Sequence, residues 1–276
     1  MPLYPQTVFR KVDSADPSES KKISIYSTRR DMSQLSYPLP RETFQFLQAL
    51  TRNNDREWFN AERQVYQNQV VTPIRRLIDR LRPVLQRLEP KLDVSYRVNT
   101  TVMRINRDRR FHPEAAPYRT YIKVSFPIQG RKWSDDPVLG FGVFPEYFYV
   151  AFRNAGQKRR SFIQRYSQNL KAHREIVERW LVDCQVPKTL QFLGGEHDDI
   201  AVISNCSSRW EDWSTLSEPT VGYIWSGSPI ERIEAIPFEE VVDRLIRLYF
   251  LKLLALSDDV ATDSLTYFSR VRELCV

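Results

Sequence analysis

The chain has 276 residues, of which 42% are hydrophobic and 12% are aromatic. This is enough apolar material for a folded core, so the composition excludes a chain that is disordered throughout. The formal net charge is +7, from 41 basic and 34 acidic residues. An excess of this size permits anionic partners such as nucleic acid or phosphorylated ligands, and it is equally consistent with simple solubility.

The three cysteines, Cys184, Cys206 and Cys275, are far apart and form no Cys-x-x-Cys pair. Their spacing predicts neither a disulfide framework nor a zinc site, and it favours a reducing compartment. No apolar run is long enough to span a bilayer, and the N-terminus lacks the apolar segment of a signal peptide. We therefore predict a cytoplasmic protein without a membrane partner, while the oligomeric state stays open.

The chain begins with a stretch that differs in composition from the rest. Residues 1–40 are rich in Ser, Lys, Arg and Asp, which predicts a flexible N-terminal extension. Order is expected from Arg41 onward, where Phe44, Leu47 and Leu50 share one helical face.

Two further helices are predicted before the hydrophobic pattern changes. Asn54 is the predicted N-cap of a second helix, which carries Trp58, Phe59 and Tyr66. Pro73 suits the first turn of a third helix, whose apolar residues recur at helical spacing over residues 73–88. Arginines occupy most of the other faces of this third helix, which predicts an amphipathic helix with a solvated basic side.

The period then becomes that of a β-strand. Alternation over residues 121–126 predicts one strand, and residues 138–144 and 146–152 predict a hairpin that turns near Pro145. Residues 100–105 are expected to pair with this group. The pairing is expected to be antiparallel, because the connection within the hairpin is short.

The second half of the chain mixes helices with short strands. Helical spacing predicts one long helix over residues 158–183, another over residues 238–256, and a final helix through residues 265–274. Residues 200–204 and 221–225 are predicted short strands.

The order of these elements indicates the fold class. Helices come first, strands cluster in the middle, and helices follow again, which is typical of α+β proteins and not of a doubly wound parallel sheet. We predict an α+β fold in which an antiparallel or mixed sheet packs with several helices. Residues 41–276 would form a single globular domain.

Several common catalytic and cofactor motifs are absent. The sequence contains no G-x-G-x-x-G, P-loop, H-E-x-x-H or G-x-S-x-G. His112-Pro113-Glu114 has the H-x-E of zinc deaminases but lacks the Pro-Cys-x-x-Cys that accompanies it. Residues 196–199 (Glu-His-Asp-Asp) offer metal ligands, but acidic residues after Gly194-Gly195 are also ordinary in a solvated turn. We therefore predict no metal site and no cofactor.

The most informative stretch is the arginine-dense segment 104–120. A planar guanidinium group suits bidentate contact with phosphate or carboxylate, and an aromatic ring beside it would stack on a base or another ring. A structural alternative is that acidic residues pair with neighbouring arginines and pin a long loop stiffened by Pro113 and Pro117. The arginines are Arg104, Arg107, Arg109, Arg110 and Arg119, the acidic residues are Asp108 and Glu114, and the aromatics are Phe111 and Tyr118.

Two motifs in the chain resemble those of the family called domain of unknown function 2461. The first reads Phe46-Leu47, Asn53-Asn54 and Arg56-Glu57-Trp58-Phe59, and the second reads Arg104-Ile105-x-Arg107-Asp108-x-Arg110-Phe111 followed by Pro117-Tyr118-Arg119-Thr120. The chain departs from the family pattern at His112, where a small hydroxyl residue is usual, and at Ala115, where lysine is usual. The resemblance implies a mixed α/β fold, and it supplies no activity.

Three functions are compatible with these observations. In the first, an arginine-rich cleft binds an anionic, phosphate-bearing ligand, with nucleic acid as one candidate. In the second, the protein is a hydrolase of a phosphate ester or a similar anion, with Asp108 or Glu57 as general base and His112 as acid. In the third, the amphipathic helices over residues 73–88 and 238–256 form a protein interaction module. The candidate ligand-binding residues are Arg104, Arg107, Arg110, Tyr118, Arg119, Asn54 and Arg56, with Lys123 as an addition.

Overall fold

A computed structural model describes residues 37–110, 112–183, 190–194, 201–206, 212–213, 218–226 and 236–274. Most of the predicted N-terminal extension, residues 1–36, lies outside the described residues. Its last residues, 37–40, are described, and Leu39 among them is already buried in the core.

The first helices of the described chain confirm the first and third predicted helices, whereas the predicted second helix, which was to carry Trp58 through Tyr66, is divided in two at Glu62. They are α1 (Arg41–Arg52), α2 (Arg56–Ala61), α3 (Arg63–Tyr66) and α4 (Thr72–Leu88), and a π-helical turn over Gln67–Val71 joins α3 to α4. A π-helical turn changes the backbone hydrogen-bond pattern, and here the buried Thr43 hydroxyl donates to the Gln69 carbonyl at 2.5 Å.

The predicted N-cap of the second helix is wrong by one residue. Asp55, not Asn54, caps α2, and its carboxylate accepts a hydrogen bond from the backbone N–H of Trp58 at 2.8 Å. The shift leaves the Asn54 side chain available for a contact across the fold, which is described below.

The sheet confirms the α+β prediction. Its strands are β1 (Ile122–Ser125), β2 (Val138–Val143), β3 (Tyr147–Arg153), β4 (Gln191–Gly194), β5 (Ala201–Asn205) and β6 (Thr220–Ser226). They are arranged in the order β1-β2-β3-β6-β4-β5, and every pairing is antiparallel.

Individual strands follow the sequence predictions with two differences. The hairpin of β2 and β3 pairs Phe141 with Val150, and Val102 forms an isolated antiparallel bridge with Val124, which confirms the expected pairing of residues 100–105. Strand β4 was not predicted. Gly194, expected in a turn, is its last residue, and Gly195 lies outside the described residues.

The later helices are α5 (Arg160–Ala172), α6 (Arg174–Asp183), α7 (Phe238–Leu256) and α8 (Val260–Leu274). The prediction of one long helix over residues 158–183 is wrong, because the backbone of His173 leaves the helical region with φ −119° and ψ 45°. Leu170 and Val177 lie seven residues apart, about two helical turns, and both are fully buried. The apolar spacing therefore continues in phase across the break and does not reveal it.

The two faces of the sheet are covered differently. One face joins the main core with α7, while the other carries a smaller aromatic cluster that includes Tyr121, Phe144 and Tyr149. Tyr149 lies flat across the sheet over its cross-strand partner Gly142. A side chain at Gly142 would collide with the Tyr149 ring, so glycine is required there.

Helix α7 contains a buried charge inside its apolar sequence. Lys252 is 0% exposed, and its ammonium group donates to the carboxylate of Asp136 and, at 2.6 Å, to the carbonyl of Pro137. The same carboxylate accepts from Arg131 at 2.8 Å and from the Ile128 backbone N–H at 3.1 Å. Burial lowers the pKa of Lys252, and the Asp136 carboxylate opposes this lowering.

None of the helices in the described part of the chain combines the length and apolar character needed to cross a bilayer.

Neutralising Asp136 is expected to destabilise the fold strongly. In Asp136→Asn the Lys252 ammonium group is buried without a counter-charge, so the free energy of unfolding should fall by about 3–5 kcal/mol in urea denaturation. The matched control Asp135→Asn changes an adjacent, half-exposed carboxylate, and it should change this free energy by about 0.5 kcal/mol or less. A double variant Asp136→Asn/Lys252→Met should recover part of the lost free energy of unfolding. Equal losses in Asp136→Asn and in the control Asp135→Asn would contradict this account.

Candidate functional site

The arginine-dense segment folds back on itself as a short two-stranded ribbon. We call residues 104–119 the arginine ribbon; Phe111 within it lies outside the described residues. The backbone N–H of Arg107 donates to Pro117 at 2.9 Å, and that of Arg119 donates to Ile105 at 2.8 Å. Asn106 and Tyr118 form an antiparallel bridge between these two hydrogen bonds. The ribbon thus places the arginines at fixed positions of a paired backbone.

The side chain of Asn54 attaches this ribbon to the start of α2. Its amide nitrogen donates to the Tyr118 carbonyl at 2.9 Å, and its amide oxygen accepts from the Tyr118 backbone N–H at 3.1 Å. The Tyr118 ring stacks on Phe59 with a centroid separation of 4.0 Å, and Tyr118 is only 5% exposed. We call these contacts the Asn54 latch. The latch brings two distant stretches of sequence together and uses both Asn54 and Tyr118 structurally.

Several of the predicted ligand-binding arginines support the ribbon backbone. One guanidinium nitrogen of Arg119 donates to the carbonyls of Arg104 at 3.1 Å and Asn106 at 2.7 Å. Nε of Arg107 donates to the Tyr118 carbonyl at 3.2 Å, and Arg109 donates to the Pro113 carbonyl. These contacts agree with the structural alternative for this segment, although the acceptors are backbone carbonyls and not the expected carboxylates.

Asp108 organises the two most exposed arginines of the ribbon. Arg110 makes a bidentate contact with its carboxylate, with Nε at 2.9 Å from Oδ1 and Nη2 at 2.5 Å from Oδ2. Nη2 of Arg104 lies 3.7 Å from the same Oδ2. Hydrogen bonds from Arg110 lower the pKa of Asp108 to about 2, with smaller contributions from the charges of Arg110 and Arg104. One ionised carboxylate is therefore shared by two guanidinium groups, whose side chains are 78% and 46% exposed.

Residues 42–184 match the family described as "Conserved hypothetical protein (DUF2461)". The chain belongs to this family. No curated protein matches the chain. The DUF2461 match contains the Asn54 latch, the arginine ribbon and strands β1 to β3, and it ends just after α6; strands β4 to β6 and helices α7 and α8 lie outside it.

The other predicted site residues are not joined to the ribbon by a described contact. Arg56 and Glu57 lie exposed in the first turn of α2, and among the described residues neither makes a hydrogen bond or ion pair with the arginine ribbon. His112 is largely exposed, and its Nδ1 lies 3.7 Å from Glu114. Lys123 in β1 lies over the Tyr121 ring, with Nζ 4.9 Å from the centroid. The three candidate catalytic groups are therefore not linked to one another by the contacts that the structure describes.

Two cavities of about 410 and 440 Å³ lie elsewhere in the fold, and neither is lined by a residue of the arginine ribbon. Neither cavity is therefore the arginine-rich cleft that the sequence predicted, and the candidate site is the exposed surface of the ribbon. Among the described residues, no group of three or more His, Cys, Asp or Glu side chains is placed to hold a metal ion. The acidic stretch at residues 196–199 lies outside the described residues.

The sequence did not predict the ion pair of Asp136 with Lys252. It also did not predict that the Asn54 side chain hydrogen-bonds to the backbone of Tyr118. A signal for the ion pair was present: Lys252 interrupts an apolar helical run, and a buried lysine requires an anionic partner. No local pattern identified Asp136 as that partner. For Asn54, the neighbouring Asp55 was a signal, because it is an equally good N-cap residue and would leave the Asn54 side chain for another contact.

Removal of the Asn54 side chain should loosen the ribbon. Asn54→Ala leaves the backbone N–H of Tyr118 without its partner and removes one of the two donors to the Tyr118 carbonyl, which keeps Arg107. The free energy of unfolding should therefore fall by about 1–3 kcal/mol. The neighbouring Asn53 is exposed and donates only to the Ala49 carbonyl, so Asn53→Ala should cost about 0.5 kcal/mol or less. Amide hydrogen exchange at Arg107 and Arg119 should accelerate in Asn54→Ala alone; unchanged exchange would contradict the latch.

Asp108 should titrate well below an ordinary aspartate. Because its pKa is about 2 in the folded state, its contribution to stability is present above the ordinary value near 3.9 and is lost as the pH falls through about 2. Carboxyl ¹³C NMR should report this pKa directly, and Arg110→Gln should return it toward the ordinary value. A pKa near 3.9 in the unaltered protein would show that Asp108 and Arg110 are not paired in solution.

Proposed function

We propose that the exposed side of the arginine ribbon binds a phosphate-bearing anionic ligand, with nucleic acid as one candidate. The observation that carries this proposal is the arrangement of Arg104 and Arg110 around one carboxylate. Both guanidinium groups are exposed, and Asp108 provides one negative charge for the two of them. Exposed guanidinium groups held side by side are suited to bind a phosphate group through charge-assisted, bidentate hydrogen bonds.

The local charge of the segment supports the same proposal. The ribbon contains five arginines against the two acidic residues Asp108 and Glu114, a formal balance of 5 − 2 = +3. Glu114 lies beside His112, and Asp108 stays ionised because of its low pKa. Asp108 would thus orient the guanidinium groups toward a ligand, which reduces the entropy lost on binding. In this proposal Arg107, Arg119, Asn54 and Tyr118 position the ribbon and do not contact the ligand.

The hydrolase alternative receives less support from the geometry. A general base works best with a pKa near the operating pH, whereas the arginines lower the pKa of Asp108 to about 2. The low value makes Asp108 a weak base at neutral pH. Glu57 and His112, the other candidates, have no described contact with Asp108 or with each other.

The interaction-module alternative required helices with exposed apolar faces. The apolar residues of α4 and α7 are buried within the fold instead. Among the described residues, the exposed large hydrophobic side chains are single residues on separate elements: Tyr37, Val98, Val182, Val202 and Leu265. Such scattered residues are normal for a protein surface.

The proposal is tested by the salt dependence of binding to a short, fluorescently labelled single-stranded DNA. For the unaltered protein, the logarithm of the binding constant should fall linearly with the logarithm of salt concentration. Arg104→Gln/Arg110→Gln removes two candidate phosphate contacts. Each contact on a single strand contributes about 0.7 to the steepness of this salt dependence, so the plot should become less steep by about 1.4.

A control variant separates a local effect from one of net charge. Arg174→Gln/Arg179→Gln removes the same charge from α6, where each arginine pairs with an acidic residue one turn away. This control variant should keep most of the affinity for the DNA, and the slope of its salt dependence should be unchanged. Absence of DNA binding at low salt would exclude nucleic acid as the ligand, and equal weakening by both double variants would exclude the ribbon as a specific site.

A further inference from the structure

A cavity of about 440 Å³ lies on a different part of the molecule from the arginine ribbon. It is formed by the segment that follows α4, by Ile128 and Arg131 before β2, by the C-terminal part of α7, and by α8. Its volume is in the range of small-molecule sites. The first two of these parts lie within the DUF2461 match and the two helices lie outside it, so the cavity exists only where both parts of the chain meet.

The acidic groups of this cavity already have hydrogen-bond donors. Glu89 accepts from the Tyr249 hydroxyl at 2.9 Å and from the backbone N–H of Lys91 at 2.9 Å. Asp263 accepts from the Ser257 hydroxyl at 2.6 Å. Both carboxylates are therefore held by neighbouring groups of the protein and not by its cations.

The cations of the cavity, in contrast, keep donors that the protein does not use. Arg270 donates through Nη1 to the Leu88 carbonyl at 2.6 Å, and Arg131 donates through Nη1 to Asp136 at 2.8 Å. Within the described residues, Nε and Nη2 of both arginines and Nζ of Lys91 make no hydrogen bond. Three positively charged groups thus line one cavity with unused N–H groups.

The electrostatics of Tyr249 reflect the same convergence of charged groups. Burial raises the pKa of Tyr249, the charges of Glu89 and Asp263 raise it further, and the charge of Arg270 lowers it. One hydroxyl therefore lies within electrostatic reach of both carboxylates and of Arg270. Leu253 and Leu256 add an apolar wall to the same cavity.

We propose that this cavity binds a small organic anion, a carboxylate or a phosphate monoester with a short apolar portion. Arg270 and Lys91 would donate charge-assisted hydrogen bonds to the oxyanion, with Arg131 as a third positive charge, and the leucines of α7 would contact the apolar portion. The formal balance of the lining is three cations against the two carboxylates Glu89 and Asp263, 3 − 2 = +1. A carboxylate would bring this charge to zero, and a phosphate monoester, which carries close to two negative charges at neutral pH, would bring it to about −1. The site is separate from the proposed function of the ribbon and does not depend on it.

Isothermal titration calorimetry with benzoate, phenyl phosphate and benzamide, the neutral isostere of benzoate, tests the proposal. Benzoate, phenyl phosphate or both should bind, and benzamide should bind at least about tenfold more weakly, since it lacks the charge that the cations recognise. Arg270→Gln should weaken the anion at least about tenfold, the factor that corresponds to about 1.4 kcal/mol. Binding of only one anion supports the site and identifies its oxyanion as carboxylate or phosphate.

Two further variants keep the outcome decisive. Lys91 is exposed and its side chain makes no described contact, so Lys91→Gln should fold normally and still weaken the anion several-fold, even if Arg270→Gln disturbs the packing against Leu88. Arg104→Gln/Arg110→Gln should leave this binding unchanged, which separates the cavity from the arginine ribbon. No binding of either anion, equal binding of benzamide, or unchanged affinity in both Lys91→Gln and Arg270→Gln would overturn the proposal.

Discussion

A buried ammonium group requires a counter-charge, and in this protein that requirement fixes how the longest described helix meets the sheet. Lys252 lies on α7 among apolar residues, and Asp136 lies in the loop that enters β2. A shift of α7 by one residue would move Lys252 away from the carboxylate and leave a charge in the core, which costs several kcal/mol. The carboxylate also binds Arg131, which lines the cavity between α7 and α8. One acidic residue thereby links the core of the fold to the cavity of about 440 Å³.

Two of the arrangements that arginines adopt in this chain cannot be told apart from composition alone. Arg119 and the buried Arg159 direct their guanidinium groups at backbone carbonyls; Arg159 reaches three of them, those of Asp136, Ala155 and Trp133, each at 2.7 Å. Such arginines satisfy carbonyls in irregular segments that no helix or strand pairs. Arg104 and Arg110 instead face solvent around a shared carboxylate. Arg104 and Arg110 therefore keep accessible charge of the kind that ligand recognition needs, whereas Arg159 does not.

The elements that the sequence predicts well are those whose signal is local. The predicted bounds of α7 agree with the structure, and the hairpin of β2 and β3 agrees to within about a residue, because burial of one face imposes a period on consecutive residues. The break at His173 preserves that period and escapes detection. Asp136 and Lys252 are 116 residues apart, and no spacing rule connects them. The sequence predicted which arginines belong to the candidate site. It did not predict which of them support the ribbon backbone and which are exposed, because that division depends on distances that only the fold defines.

The two ends of the Asn54 latch should differ in their tolerance of substitution. Asn54 contributes through its own amide, and among common side chains only Asn and Gln carry a donor and an acceptor of this kind. Tyr118 is recognised through backbone atoms, which every residue possesses, so its identity matters only for stacking on Phe59. A phenylalanine at position 118 would keep both hydrogen bonds and the stacked ring. The latch itself therefore constrains the amide at position 54 and places no requirement on the hydroxyl at position 118.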